Sequence, residues 1–357
     1  MKRWLRRLAP LAVTLALLAL LVRQFVRQGG AMDVGGILAN ASPAWIAAGV
    51  VFFVVVNILR ALRFRLLIPG PDVGVMSFMP IGFALSFLNN ILPLRGGELV
   101  FVVAMRSGYG VPAADSAAAL FLARVLDYLA VAAWFVPLAL VSLDRLPPTT
   151  DWPAQGVPTA WLVGVVIGFM AALGLLIASL AALGEHALRL LVRILDRLGF
   201  GERPLARRLV DFGQRAVRAF DALRTRRTLV AAFSLTLLLW LGIFAWQYSF
   251  ARGLALAVEP GAPSFATLGF GLFVVGATFG TLSKAIPVPT MGGHGITEVG
   301  WTLGFALVGV PVATAIASSL GITVLTLIVS TVFGLPALAW LALRRRRMAR
   351  GEARGEV

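Results

Sequence analysis

Apolar residues run along this chain in blocks of about 20, broken by short arginine-rich or proline-rich stretches. A block of that length matches the ~30 Å hydrocarbon core of a bilayer, so each one predicts a membrane-spanning helix. Six such spans are expected, at roughly 8–26, 43–60, 115–142, 158–183, 229–257 and 312–343. Two further apolar regions, 76–110 and 264–310, are interrupted in the middle.

The interruptions spell nearly the same thing. The first reads Ile91-Leu92-Pro93-Leu94-Arg95-Gly96-Gly97-Glu98, followed by Val111-Pro112 and an Ala-rich helix. The second reads Ile286-Pro287-Val288-Pro289, then Gly292-Gly293-His294-Gly295-Ile296-Thr297-Glu298, then Val310-Pro311 and another Ala-rich helix. Paired breaks at corresponding places in two halves point to a transporter's binding site. Non-helical backbone at membrane depth is tolerated only where protein or a water-filled cavity satisfies it, so the two breaks are expected to meet around such a cavity.

Arginine placement orients the spans. Arg3, Arg6 and Arg7 precede the first, Arg60, Arg63 and Arg65 follow the second, the segment 184–228 carries eleven arginines, and Arg344–Arg347 follow the last. Basic flanks mark the cytoplasmic side, which puts both termini inside. Region 76–110 then starts and ends on the cytoplasmic side and region 264–310 on the outer side, each as a re-entrant hairpin or a pair of short spans. The expected fold is an all-α polytopic membrane protein with about six full transmembrane helices plus two broken or re-entrant helical hairpins in an inverted-repeat arrangement. Its parts are an N-terminal membrane half at 1–183 with the first hairpin (76–110), a cytoplasmic amphipathic segment at 184–228, a C-terminal membrane half at 229–343 with the second hairpin (264–310), and a basic cytoplasmic tail at 344–357. The segment 184–228 shows two apolar stripes, Leu188 to Leu198 and Leu205 to Leu223, which suit either a cytoplasmic connector obeying the positive-inside rule or helices lying on anionic lipid.

Composition agrees with this reading: 59% of residues are hydrophobic, 13% are charged, and the mean hydropathy is +0.89. The net charge of +16 sits beside apolar spans, not on a soluble basic domain, which argues against nucleic acid. Cysteine is absent, which excludes thiolate catalysis and Cys-ligated metals. The N-terminal basic and apolar run lacks a signal-peptide cleavage site and reads as a retained span.

Few charges lie in apolar context: Arg95, Glu98, Arg106, Arg124, Asp127, Lys284, His294 and Glu298. Each costs about 2.5–3.5 kcal/mol near mid-membrane unless paired or solvated. Glu98 and Glu298 each follow a Gly-Gly turn, where a carboxylate caps a helix start or, facing a cavity, carries a proton or binds a cationic headgroup. Arg95 and Lys284 suit a phosphate, joined by backbone N–H groups at Gly96, Gly97, Gly292, Gly293 and Gly295. Arg124 and Asp127, three residues apart, read as an intrahelical ion pair. Asn89 and Asn90 are placed to satisfy freed backbone groups or line the path. His294 precedes Glu298 at the spacing of helical metal ligands, but no third ligand is near, and neither metal nor cofactor is expected.

Asn89 to Glu98, the Arg124-Val125-Leu126-Asp127 helix, and Pro287-Val288-Pro289 with Gly292-Gly293 and Glu298 together resemble the lysylphosphatidylglycerol synthase transmembrane-domain family over most of the chain. The resemblance implies a bacterial inner-membrane protein that moves a lipid or lipid-linked molecule between leaflets. The synthase's soluble domain would follow the membrane region, and ten residues follow Arg347, so a stand-alone, non-enzymatic member is expected. Family members often carry a basic residue after the first glutamate and an arginine matching Arg124 in the last helix. Here those stretches read Leu99-Val100-Phe101 and Gly321-Ile322-Thr323-Val324, which points to different headgroup contacts.

Without a GxxxxGK[ST] loop, transport would run downhill, be proton-coupled or be driven by lipid consumption. The expected partners are membrane lipids with anionic or phosphate-containing headgroups. A second copy of the chain or a lipid-synthesis enzyme is a candidate protein partner. Two other classes stay open: an intramembrane lipid-modifying enzyme using Glu98, His294 or Glu298, and a non-catalytic scaffold for a lipid-modifying complex.

Overall fold

The computed structural model describes residues 2–27, 40–68, 75–93, 96–150, 156–197, 226–254, 256, 263–284, 286 and 288–353. Arg95, Pro287, the second stripe of the central segment and the last four residues of the tail lie outside the described residues. The helices are α1 (Lys2–Arg27), α2 (Pro43–Leu67), α3 (Val75–Ile91), α4 (Gly97–Tyr109), α5 (Ala113–Val141), α6 (Thr159–Arg197), α7 (Arg226–Gly253), α8 (Phe270–Ser283), α9 (Ile296–Leu307) and α10 (Val312–Ala353). A two-residue antiparallel ribbon, β1 (Thr149–Thr150) with β2 (Val157–Pro158), joins α5 to α6. This is an all-α membrane protein: among the described residues, Pro43–Leu67, Ala113–Val141, Arg227–Gly253 and Val312–Arg344 are each long and apolar enough to cross a bilayer.

The expected spans at 8–26 and 158–183 fall within α1 and α6. Helix α6 runs unbroken for 39 residues, roughly 58 Å, so the stripe from Leu188 onward extends the same helix as the span as far as Arg197 instead of forming a separate one. Helix α2 likewise continues past Arg60 to Leu67, which carries Arg60 and Arg63 into the packed interior.

The interrupted regions are helical hairpins. Their arms have 17 and 13 residues (α3, α4) and 14 and 12 residues (α8, α9), or roughly 18–26 Å each, and none reaches across a ~30 Å core alone. The second break therefore ends its first arm at Ser283, although the apolar run from Phe265 to Ile286 is long enough to span.

Packing repeats the order of elements. Helices α2 to α5 correspond to α7 to α10, and α2 lies along α7. The first arm of each hairpin packs on the long helix of the other set: α3 on α10, and α8 on α5. Val-Pro introduces both long helices, with a proline just ahead of the first turn, where its fixed φ and missing N–H cost nothing.

The arms of the second hairpin touch backbone to backbone. Gly276 and Gly280 on α8 face Gly300 and Gly304 on α9, two small-xxx-small pairs of the kind that let membrane helices approach closely. A Cβ on Gly304 would lie 2.0 Å from the Gly276 carbonyl oxygen. Around this seam Phe273, Trp301 and Phe305 pack edge-on or tilted at centroid distances of 4.6–5.7 Å and anchor the main core. The first hairpin is held by Phe101 on Phe64 and Tyr109 on Phe78.

Replacing Gly304 with alanine should force the arms apart and lower the thermal unfolding midpoint in detergent, at an overpacking cost of about 1–3 kcal/mol. Gly164, whose added Cβ would meet nothing within 4 Å, should tolerate alanine with no loss. Equal midpoints for G304A and G164A would refute the close seam.

Candidate functional site

A helix that stops inside a membrane leaves its last carbonyls and the next helix's first N–H groups without partners. Here the two breaks supply each other. Pro93 and Met291 form an antiparallel bridge between the hairpin tips, and Gly292 N–H donates to the Leu92 carbonyl at 3.2 Å. Gly292 has φ +60°, and a Cβ there would lie 2.1 Å from the Asn90 carbonyl oxygen, so glycine alone permits this approach. His294 Nε2 donates to the same Asn90 oxygen at 2.9 Å. Met291 N–H donates to Thr14 Oγ1 of α1 at 2.8 Å.

Beside the tips lies a cavity of about 430 Å³, lined from α2, α3, α5, α7, α8, the second tip, α9 and α10. Asn89, Asn90, Arg124, Asp127, Lys284, Gly292, Gly293, His294 and Glu298 all line it. Gly96, Gly97 and Glu98 do not: Gly97 packs against Asn89, and Glu98 reaches the cavity wall through Arg124. The expected nest of free glycine N–H groups is not formed as such. Gly96 N–H donates to the Pro93 carbonyl, Gly292 to Leu92, and Gly295 to Glu298 Oε2 at 2.6 Å, because apolar surroundings leave no water to take them.

Arg124 and Asp127 are more than an intrahelical pair. Arg124 Nη1 lies 3.6 Å from Asp127 Oδ2, while its Nη2 donates to Glu98 Oε1 across to α4. Asp127 Oδ1 accepts from Arg63 Nη1 at 2.5 Å and from Trp240 Nε1 at 3.0 Å. One chain of charges thus ties α2, α4, α5 and α7 together. Arg60, also on α2, donates to Asn57 Oδ1 at 3.0 Å and to Ser86 Oγ of α3.

The second glutamate is handled differently. Glu298 is 1% exposed and closes a capping box on Gly295. Its Oε1 accepts from Thr323 Oγ1 at 2.7 Å and lies 3.5 Å from His294 Nδ1. His294 sits in the tip turn and not on the helix, so it meets Glu298 as a neighbour of the cap. Among the described residues no group of three histidine or carboxylate side chains is placed to hold a metal.

The site contains several side chains that a reading of flanks and motifs passes over: Asn57, Arg60, Arg63, Ser86, Trp240, Gln247 and Thr323. Asn57, Arg60 and Arg63 recur every three residues inside one apolar helix, and that shared polar face is the signal that distinguishes them from a solvated basic flank. On the lining, four cations (Arg60, Arg63, Arg124, Lys284) face two carboxylates (Asp127, Glu298), and cations still outnumber anions when Glu98 is added. Such a wall suits an anionic group.

Removing the shared carboxylate and loosening the rim should differ sharply. Asp127→Ala leaves Arg63, 3% exposed, without its carboxylate partner and should destabilise by about 3–5 kcal/mol. Glu98→Gln weakens a pair whose side chains are 33% and 26% exposed and should cost about 0.2–1 kcal/mol. Thermal unfolding of the two variants in detergent measures the contrast, and comparable losses would remove Asp127 from the centre of the network.

Comparison with known proteins reports on the same helices. The model of the family described as "Lysylphosphatidylglycerol synthase TM region" matches residues 7–334. The chain is also similar to the glycosyltransferase AglD of Haloferax volcanii, 26% identical over 306 residues, which are 80% of this chain and 47% of that protein. The chain thus spans about half the length of that curated relative. No solved structure matches it. With both hairpins, the long helices between and after them, and nearly the whole chain inside the matched region, the protein belongs to the lysylphosphatidylglycerol synthase transmembrane-region family.

Proposed function

We propose that this chain is a lipid transporter of a bacterial inner membrane, moving a lipid or lipid-linked molecule with a phosphate-bearing headgroup between leaflets without covalent chemistry. The observation that carries the reading is the cation-rich cavity at the meeting point of two broken helices in an otherwise apolar molecule. A headgroup crossing hydrocarbon needs a polar route, and hairpins that enter from opposite sides supply one without an open pore. In this reading α1, α2, α5, α6, α7 and α10 cross fully, the two hairpins are re-entrant and related as inverted repeats, and both termini are cytoplasmic. The short arms support re-entry, and the repeated packing order supports the two-fold relation. Exposure alternates when one hairpin moves against the other, and the tip bridge is the contact that must part.

Purified protein in vesicles should accelerate leaflet exchange of a labelled phospholipid or polyprenyl phosphate over protein-free vesicles. Lys284→Ala, which removes one cation from the lining, should slow it by about 10- to 100-fold in protein that remains folded by its unfolding transition. If no phospholipid, polyprenyl-phosphate or hopanoid-like lipid exchanges, the transport reading fails. Appearance of cleaved or transferred headgroups would favour an enzyme.

The bridge has its own test. Pro93 and Met291 form a pair of the closely spaced type, with Cα atoms expected about 4.5 Å apart, within disulfide reach. The chain has no native cysteine. Pro93→Cys with Met291→Cys, oxidised, should stop exchange, reductant should restore it, and each single variant should remain active. Undiminished transport in the crosslinked protein would rule out parting of the tips.

A further inference from the structure

The His294 ring stands between the opposite hairpin and a buried carboxylate: its Nε2 lies 2.9 Å from the Asn90 carbonyl oxygen and its Nδ1 lies 3.5 Å from Glu298 Oε1. Both oxygens accept hydrogen bonds. A neutral imidazole has one N–H and one lone pair, so beside an ionised carboxylate it donates to one of the two oxygens and turns a lone pair on the other. One more proton, on the ring as imidazolium or on the carboxyl facing Nδ1, satisfies both contacts at once. The arrangement with the tips joined therefore holds a proton that is not needed once either contact is given up.

Charge decides which contact goes. Hydrogen bonds to an ionised group are roughly twice as strong as neutral ones, so after proton loss the remaining N–H goes to the Glu298 carboxylate. The Asn90 carbonyl of the opposite tip is then left facing a lone pair. Resting on the transport reading of this cavity, we propose that the His294–Glu298 pair is a proton-binding site whose proton holds the two hairpin tips together, and that its release is the step that lets them part.

The surroundings fit such a site. The His294 side chain is 20% exposed and lines the cavity, whereas that of Glu298 is 1% exposed, so the ring meets water from the cavity and shields the carboxyl behind it. The other Glu298 partners, Gly295 N–H and Thr323 Oγ1, have no charge to change. The first hairpin works otherwise: its glutamate pairs with Arg124, a guanidinium that stays charged. The remaining charged or titratable side chains on the lining are Lys284 on α8, Arg124, Asp127 and Tyr128 on α5, and Arg60 and Arg63 on α2. Against the second tip, α1 brings Thr14 and Leu17, α3 brings Asn90 and α10 brings Thr323, all uncharged. A proton that favours one of two arrangements shifts the balance toward it, so acid should hold the tips together and slow exchange.

Two measurements on the full chain test this. The chain's other histidine is His186, so a His186→Gln protein with isotope-labelled imidazole nitrogens reports His294 alone by nuclear magnetic resonance. In detergent, Nε2 should carry a proton at about pH 5 and lose it by about pH 8, the interval in which histidine changes charge, while Nδ1 keeps the remaining N–H. Nε2 protonated at both ends overturns the latch. In vesicles, exchange of labelled phosphatidylglycerol by the wild type should rise about tenfold over the same interval, the worth of one hydrogen bond between the tips. Glu298→Gln, whose amide N–H stands in for the protonated carboxyl, should exchange at the slow acid rate throughout. His294→Gln, which keeps a donor for Asn90 and cannot titrate, should lose the pH dependence as well. Wild-type exchange as flat as that of Glu298→Gln overturns the proton site and leaves transport standing. The change at Nε2 with no lipid exchanged overturns transport and leaves the proton site standing. A pH dependence that survives both substitutions belongs to another group on the lining and overturns the proposal.

Discussion

A polypeptide in hydrocarbon must satisfy every backbone N–H and C=O from within itself, and this molecule breaks two helices where that rule is strictest. The breaks persist because each completes the other. The Leu92 and Asn90 carbonyls at the end of one arm receive Gly292 N–H and His294 Nε2 from the opposite tip. Met291 N–H turns to Thr14, and Gly295 N–H to Glu298. Gly96 N–H, like Gly295 N–H, is taken within its own hairpin, so the cross-tip bonds are the ones that tie the two breaks together. The tip contact therefore sets where the two sets of helices meet, and the cavity forms where non-helical backbone leaves polar groups facing one another.

The two glutamates show how one sequence device serves different chemistry. Glu98 and Glu298 both stand in the first turn after a Gly-Gly break, and both reach the long helix that follows, at Arg124 and at Thr323. With an arginine opposite, Glu98 joins a chain of charges that continues through Asp127 to Arg63. With a threonine opposite, Glu298 has no guanidinium to neutralise it, and its burial is offset by a backbone N–H, a hydroxyl and an adjacent imidazole. The packing order of the helices repeats between the two sets while charge does not: the guanidinium groups on the cavity lining come from α2 and α5.

Much of this is written in local sequence. Proline and paired glycines marked both breaks, Val-Pro marked the starts of α5 and α10, and apolar block length located all six long helices, because these signals act within a few residues. The Glu298 cap was legible for the same reason. What local sequence does not carry is the direction in which a side chain faces across helices. Arg60 and Arg63 look like a basic flank until α2 is seen to continue to Leu67 and turn both inward. Trp240 on Asp127 and Thr323 on Glu298 depend on how α7 and α10 pack, which no spacing encodes. Three of the five glycine donors counted as free were misjudged, Gly292 because the opposite tip takes its N–H, and Gly96 and Gly295 because their own turns do.

The strengths of the contacts also indicate which parts can move. The Arg63–Asp127 pair joins α2 to α5 and is almost wholly buried, and separating it would leave a charge uncompensated at about 3–5 kcal/mol. The Glu98–Arg124 pair joins the first hairpin to α5, is about one-third exposed, and contributes about 0.2–1 kcal/mol. Among the described residues the two hairpins are joined at their tips by one bridge and the His294 contact, whereas the second hairpin's own arms are fused along the glycine seam. The weak joints thus lie at the Glu98–Arg124 pair and at the tips, whereas α9 is tied to α10 by buried hydrogen bonds from Trp301 to Ser318 and from Thr323 to Glu298. The strong ones lie within the α2–α5 frame and within the second hairpin. In the proposed transport cycle, displacing the first hairpin parts the partly exposed pair, the tip bridge and the hairpin's apolar packing on α10 while leaving the buried α2–α5 pair intact.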